Sequence, residues 1–139
     1  MSRIGIISDT HDRLDKVRSA VALFNRLKPD RVVHCGDVVA QFVLSEMRSL
    51  SMPVSVVFGN CDGDRVGLRR RAAELGFASD EGPLGFEQGG RRFVVSHQLR
   101  HEGSRPVIIN PGEACGWLFG RSTAALLDTE TAEVEVFDL

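Results

Sequence analysis

Three times within residues 3–62 the chain runs from an apolar, β-branched stretch into a polar end: RIGIISD at 3–9, RVVHCGD at 31–37 and PVSVVFGNCD at 53–62. Between the first two, Leu14, Val17, Val21, Phe24 and Leu27 recur every three or four positions, which predicts an amphipathic helix over 14–27. Lys28-Pro29-Asp30 ends it, because proline neither donates the helical hydrogen bond nor tolerates a helical predecessor. Val38 to Leu50 reads as a second helix, stopped near Pro53. A βαβαβ order of this kind calls for right-handed crossovers and a parallel sheet. Asp9, Asp37 and Asn60 then meet where the strands empty onto the carboxyl edge, the usual place for a site in an open α/β sheet.

Residues 66–76 read as a helix with Leu68, Ala72 and Leu75 on one side and Gly76 as its stop. After it the texture changes. LGFEQ, RRFVVSH, RPVIIN, TAALLDT and AEVEVFDL are short, β-rich and separated by Gly-Gly, Pro-Gly and Asp-Thr-Glu turns. They predict a second, largely antiparallel sheet packed on the first, with helices on the first sheet's outer face. The expected class is therefore an α/β sandwich with a parallel N-terminal half and a β-rich C-terminal half. A chain of 139 residues suits one core, so residues 1–139 are expected to form a single domain.

Formal charge is -2, from 17 basic and 19 acidic residues, so no global field gathers nucleic acid or a membrane surface. The denser basic runs, Arg69-Arg70-Arg71 and Arg91-Arg92, read as solvated faces rather than a phosphate-binding rim. Cys35, Cys61 and Cys115 are odd in number and form no CxxC pair, which argues against a disulfide scaffold or a structural zinc site and suits a reducing compartment. With no run of 18 apolar residues and no basic leader, the expectation is a cytoplasmic protein that does not span a membrane.

Asp9 and His11 in SDTHD can be aimed at one ion by an irregular turn, and an oxygen with an imidazole nitrogen suits manganese, iron or zinc. Asp37 follows Cys35-Gly36, and its two oxygens could bridge a pair of ions. Asn60 offers a neutral carbonyl oxygen and an amide donor, and alone would be a turn residue. His97 ends a strand and can point into a cleft, or else bond within a loop. His34 lies inside a strand, where alternation turns it away from Asp37 and favours a supporting role over coordination.

Taken in order, DTH at 9–11, GD at 36–37, GNCD at 59–62, SH at 96–97 and NPG at 110–112 resemble the calcineurin-like metallophosphoesterases, in particular their small phosphodiesterase branch. The resemblance implies a four-layered αββα sandwich holding two divalent metal ions, manganese first, with zinc, iron or nickel as alternatives. It implies that Asp9, His11 and Asp37 serve one metal and Asp37, Asn60 and His97 the other. It also implies hydrolysis of small phosphoesters, phosphodiesters first, by a metal-activated hydroxide. Asn60, Asp62 and His97 would carry the catalytic roles: Asn60 orients the phosphate, and Asp62 holds a neighbouring group by hydrogen bonding. Cys61 stands where larger relatives carry a histidine that helps the leaving group, which modestly favours activated diesters over monoesters.

The chain also departs from that pattern. The family follows SH with a glycine, a helix, a strand and a Gly-His-Thr-His turn that completes both sites. Here Gln98 and LRHEGSRP lead straight to VIINPG, and no GHTH occurs. The shortening amounts to about twenty residues, the length of a helix and a strand. His101 lies four positions after His97 and could replace one lost ligand, although Gly103 and Pro106 leave little helix around it. The rival function is a weak or inactive protein-interaction scaffold on the same fold. A haloacid-dehalogenase-like phosphatase is disfavoured, because His11 stands where that class needs a second aspartate. Trp117-Leu118-Phe119 is either core or the rim of a substrate site or homodimer. An intact mass near 15.3 kDa is expected for the short chain, whereas a mass higher by about twenty residues would restore the missing segment and the ordinary two-metal chemistry.

Overall fold

Alternation along β1 (Arg3–Ile7) sets the layers: Ile4 and Ile6 enter one apolar cluster and Ile7 the other. The computed structural model describes residues 2–98 and 108–139. Within them β1 pairs in parallel with β2 (Arg31–His34), β2 with β3 (Val54–Val57), and β3 with β4 (Ala78–Asp80). On the other side of β1 run β7 (Thr123–Asp128) and β8 (Val134–Asp138), both antiparallel to their neighbours, giving the order β4-β3-β2-β1-β7-β8. A separate hairpin, β5 (Leu84–Gln88) and β6 (Arg91–Val95), forms the second sheet.

The helices cover one face of the large sheet. α1 (Leu14–Leu27) has the bounds its periodicity predicts and buries Val17, Ala20, Val21, Leu23 and Phe24. It stops at Lys28, which takes a left-handed conformation (φ 52°) and gives its N–H to the Phe24 carbonyl. With α2 (Gln41–Glu46) and α3 (Arg65–Glu74) it packs Phe24, Leu44 and Leu68 against Val32, Val54 and Val56. Each such fully buried side chain contributes about 2 kcal/mol relative to exposure. On the other face Phe86 and Phe93 of the hairpin close over Ile4, Ile6, Val33, Val57, Ala125 and Leu127.

The structure departs from the reading of the sequence at several points. TAALLDT and AEVEVFDL join the first sheet as β7 and β8, because Thr123–Leu127 is buried throughout and small Ala124 and Ala125 let it lie beside β1 with both faces covered. β4 has no apolar signal and is held to β3 through its backbone. The second helix starts at Gln41 rather than Val38, and a 3₁₀ turn at Met47–Ser49 extends it; Val38, Val39 and Ala40 belong instead to the loop that carries Asp37. In RPVIIN, residues 105–107 lie outside the described residues, and 108–110 form no strand. Among the described residues no helix covers the outer face of the hairpin, so the fourth layer of the resemblance is not seen there.

His34 is fully buried at the end of β2. Its Nδ1 accepts the Gly36 N–H at 3.1 Å, which makes Nε2 the protonated nitrogen, and Nε2 donates to Thr10 Oγ1 at 3.0 Å. Burial disfavours the imidazolium and pushes the pKa from 6.5 down to about 3. The unfolded chain thus takes up a proton that the folded chain refuses. This contribution to stability is complete above pH 6.5 and is lost as pH falls toward 3. The urea midpoint is expected to drop more steeply between pH 7 and pH 4 for the wild type than for His34→Gln; parallel profiles would show that His34 titrates normally.

Candidate metal centre

Two loops meet at the carboxyl edge of β1 and β2 and are laced by their backbones. Asp9 N–H donates to the Gly36 carbonyl, and His11 N–H to the Asp37 carbonyl, each at 3.0 Å. Asp9 (φ 53°), His11 (φ 45°), Asp37 (φ 57°) and Val39 (φ 75°) all hold left-handed backbones, a costly state for non-glycine residues and most of all for β-branched valine. Buried Asp62 maintains that strain. Its carboxylate accepts the N–H groups of Asp37 (3.0 Å), Val39 (2.6 Å) and Gly59 (2.8 Å).

From this frame the side chains converge. Ligand atoms of Asp9, Asp37 and His97 lie within 4.8 Å of one another. Asp37 Oδ1 accepts the Cys61 N–H at 2.9 Å, while Oδ2 stands 3.7 Å from His11 Nε2 and 3.5 Å from His97 Nε2. Two glycines make the approach feasible. A Cβ on Gly36 (φ 106°) would meet His97 Nδ1 at 2.7 Å, and one on Gly59 would collide with the Asp37 carboxylate.

The donor set fits a divalent cation. His97 Nδ1 lies 2.9 Å from the Cys35 carbonyl, which only accepts, so Nδ1 carries the proton of the neutral ring and Nε2 presents a lone pair. That lone pair faces Asn60 Oδ1 at 2.8 Å, with the amide nitrogen of Asn60 turned to Cys61 Sγ. Two facing lone pairs beside two carboxylates call for positive charge between them, and oxygen with imidazole nitrogen suits manganese, iron or zinc. Burial raises the pKa of Asp9, against the pull of its hydrogen bond from Ser8, as expected of a carboxylate built to sit near a cation.

All five residues that the sequence nominates as ligands, Asp9, His11, Asp37, Asn60 and His97, therefore lie around the Asp37 carboxylate. Asp62 does not face the opening; it orders backbone. His34 supports Thr10 and Gly36 as its alternation suggests. His101 lies outside the described residues. The basic runs are engaged locally: Arg69 pairs with Glu81, Arg71 with Glu74, and Arg91 caps the Glu130 carbonyl. Two residues carry more than their sequence context suggests. Arg65 donates to the carbonyls of Gly59 and Asp62 and pairs with Glu81, bracing the turn that holds Asn60. Glu113, buried, accepts the N–H groups of Leu118 and Phe119 and so shapes the loop after NPG. A cavity of about 250 Å³ beside it, lined by Asn110, Phe119, Arg121 and Val136, contains none of the clustered ligands.

A sandwich of this topology with this edge cluster defines a metal-dependent phosphoester hydrolase at the level of its superfamily. Residues 2–105 match the calcineurin-like phosphoesterase superfamily domain, and the chain belongs to that superfamily. A phosphodiesterase of Methanocaldococcus jannaschii is 30% identical over 158 aligned residues, spanning 94% of this chain and 95% of the relative. That alignment is longer than the 139-residue chain, so the relative carries residues with no counterpart here. The solved structure of a novel archaeal phosphodiesterase superposes with a TM-score of 0.87 at 31% identity, covering 99% of each chain. The phosphoesterase Yfce of E. coli shares the fold, with a TM-score of 0.71 at 16% identity over 97% of this chain and 98% of its own.

Removing the Asp62 carboxylate orphans three N–H groups, those of Asp37 and Gly59 buried and that of Val39 part-buried. Asp62→Ala is expected to lower unfolding stability by on the order of 3 kcal/mol. Asp64→Ala, which removes the α3 cap on the Gly67 N–H and an exposed bond from the Gln41 amide, should cost about 1 kcal/mol. Equal costs in urea denaturation would contradict the role given to Asp62.

Proposed function

We propose that this chain is a phosphodiesterase acting on a small phosphodiester, and that Asp9, His11 and Asp37 hold one divalent ion while Asp37, Asn60 and His97 hold a second, with manganese the first choice. The observation that carries this reading is the convergence of Asp9, Asp37 and His97 within 4.8 Å, with the Asn60 amide oxygen 2.8 Å from His97. Identity of 30–31% to two phosphodiesterases over nearly the whole chain favours diesters. Cys61 agrees, since an exposed thiol held protonated by the nearby Asp37 charge is a poor proton donor to a leaving group.

Ions bound there would supply Lewis acidity toward phosphoryl oxygens and acidify water. The chain supplies the rest. Asp37, pinned at Oδ1 by the Cys61 N–H, offers Oδ2 in a fixed direction. His97, its ring held at Nδ1 by the Cys35 carbonyl, directs Nε2 toward Asp37 and Asn60. Asn60, exposed beside His97, would orient a phosphoryl oxygen through its amide, and Asp62 orders the backbone that carries Asp37 and Gly59. These are the roles proposed for Asn60, Asp62 and His97 in catalysis.

The reading extends to organisation. A single domain over 1–139 is supported by two apolar clusters that share one six-stranded sheet. Three free thiols suit the cytoplasm, and among the described residues no helix is long and apolar enough to cross a membrane. In a homodimer, Leu118 and Phe119, 83% and 84% exposed, would be the surfaces to bury. No nucleic acid is assigned as partner.

With manganese, bis(4-nitrophenyl) phosphate is expected to be cleaved faster than 4-nitrophenyl phosphate, and chelation should abolish both. Asp37→Asn should lower diester kcat/KM at least about a hundredfold, more than the loss of a residue that merely supports a ligand. Faster monoester cleavage would overturn the substrate class; absence of both metal uptake and hydrolysis would leave the scaffold reading.

A further inference from the structure

Trp117 is 56% exposed, an unusual state for the chain's single tryptophan. The exposure does not come from slack backbone. Glu113 Oε1 takes the Leu118 N–H at 2.9 Å and the Phe119 N–H at 2.6 Å, and Thr123 N–H closes the loop onto the Glu113 carbonyl. On the preceding side Ala114 and Cys115 donate to the carbonyls of Ser8 and Asp9, each at 2.9 Å, and Arg13 donates to the Cys115 carbonyl at 2.8 Å. The segment bearing Trp117 is thus sewn to the segment bearing Asp9 and His11.

The indole stands against the metal centre itself. Its ring centroid is 5.0 Å from that of His11, tilted by 40°, and His11 Nε2 is 3.7 Å from Asp37 Oδ2. A large aromatic surface is therefore fixed at the rim of the cluster, one ring away from the central carboxylate, and left open to solvent. An aromatic side chain already ordered pays little entropy on contact, and every flat ring has a face to offer it.

We propose that Trp117 is the platform on which a planar aromatic substituent of the substrate stacks, so that the preferred phosphodiesters carry a nucleoside or aryl group on the non-leaving side of the phosphorus. The proposal rests on the phosphodiesterase reading and narrows its substrate class. Trp117 then sets KM and selectivity while taking no part in bond cleavage.

Because the chain contains one tryptophan and no tyrosine, emission excited at the red edge of absorption reports on this ring alone. Adenosine 5′-monophosphate is expected to quench it saturably, and ribose 5-phosphate, with the same phosphate and no base, is not. Equal responses to the two would overturn the proposal. For turnover, thymidine 5′-(4-nitrophenyl) phosphate and methyl 4-nitrophenyl phosphate share a leaving group and differ only in the substituent that would stack. The wild type should favour the thymidine ester. Trp117→Leu should reduce that preference by about tenfold, the scale of one base–aromatic stack, chiefly through KM, and Trp117→Phe should keep most of it. An unchanged ratio in Trp117→Leu would refute the platform. If the wild type cleaves neither ester, the phosphodiesterase reading fails, and the emission titration still decides whether the ring binds a base.

Discussion

The Asp62 carboxylate is the junction on which the site depends. It gathers N–H groups from two different loops, Asp37 and Val39 after β2 and Gly59 after β3, and those of Asp37 and Gly59 would otherwise be buried donors without a partner. That convergence drives Val39 into the left-handed region and turns the Asp37 side chain upward, where the Cys61 N–H catches one oxygen and leaves the other for the imidazoles. From the opposite side Arg65 holds the carbonyls of Gly59 and Asp62. Asp62 and Arg65 thus brace the turn at 59–62 together, the carboxylate through the Gly59 N–H and the guanidinium through its carbonyls, while Asp62 also ties that turn to the loop after β2. A buried carboxylate bonded to several amides is strong because each bond is charge-assisted and water cannot compete for it.

Much of this is legible in residue order. The helix over Leu14–Leu27 is written in its spacing and in Pro29, and the three strand ends announce where Asp9, Asp37 and Asn60 collect. The later strands are less legible, because alternation reports that a face is buried without saying against which sheet. β7 shows this well: TAALLDT reads as a strand, yet only its antiparallel register with β1, Ile4 opposite Leu127, assigns it to the first layer. β4 leaves no side-chain trace, since ASD is held by main-chain bonds that any residues can make.

The supporting residues of the site are hidden for a related reason. Glu113 follows NPG as an ordinary polar residue of a turn, and its burial against the amides of Leu118 and Phe119 is a fact of the folded loop alone. Arg65 opens α3 as any exposed arginine could, and its two carbonyl acceptors lie three and six positions upstream, in the GNCD turn. Ligands can be read from residue type because their chemistry demands it. Bracing groups cannot, because many residue types could brace and the geometry alone selects one.

His97 reaches the cluster from β6, in the two-stranded hairpin, whereas Asp9, Asp37 and Asn60 come from the edge of the large sheet. An isolated hairpin is at best marginal in water, and here it is secured by Phe86 and Phe93 on one apolar face. The link from the His97 ring to the Cys35 carbonyl is therefore a clasp between layers as well as a tautomer lock. A cation held between His97 and the carboxylates would tighten that clasp, so occupancy of the centre and docking of the hairpin would be thermodynamically linked. The hairpin that closes one apolar face of the sheet would then also report on the state of the centre.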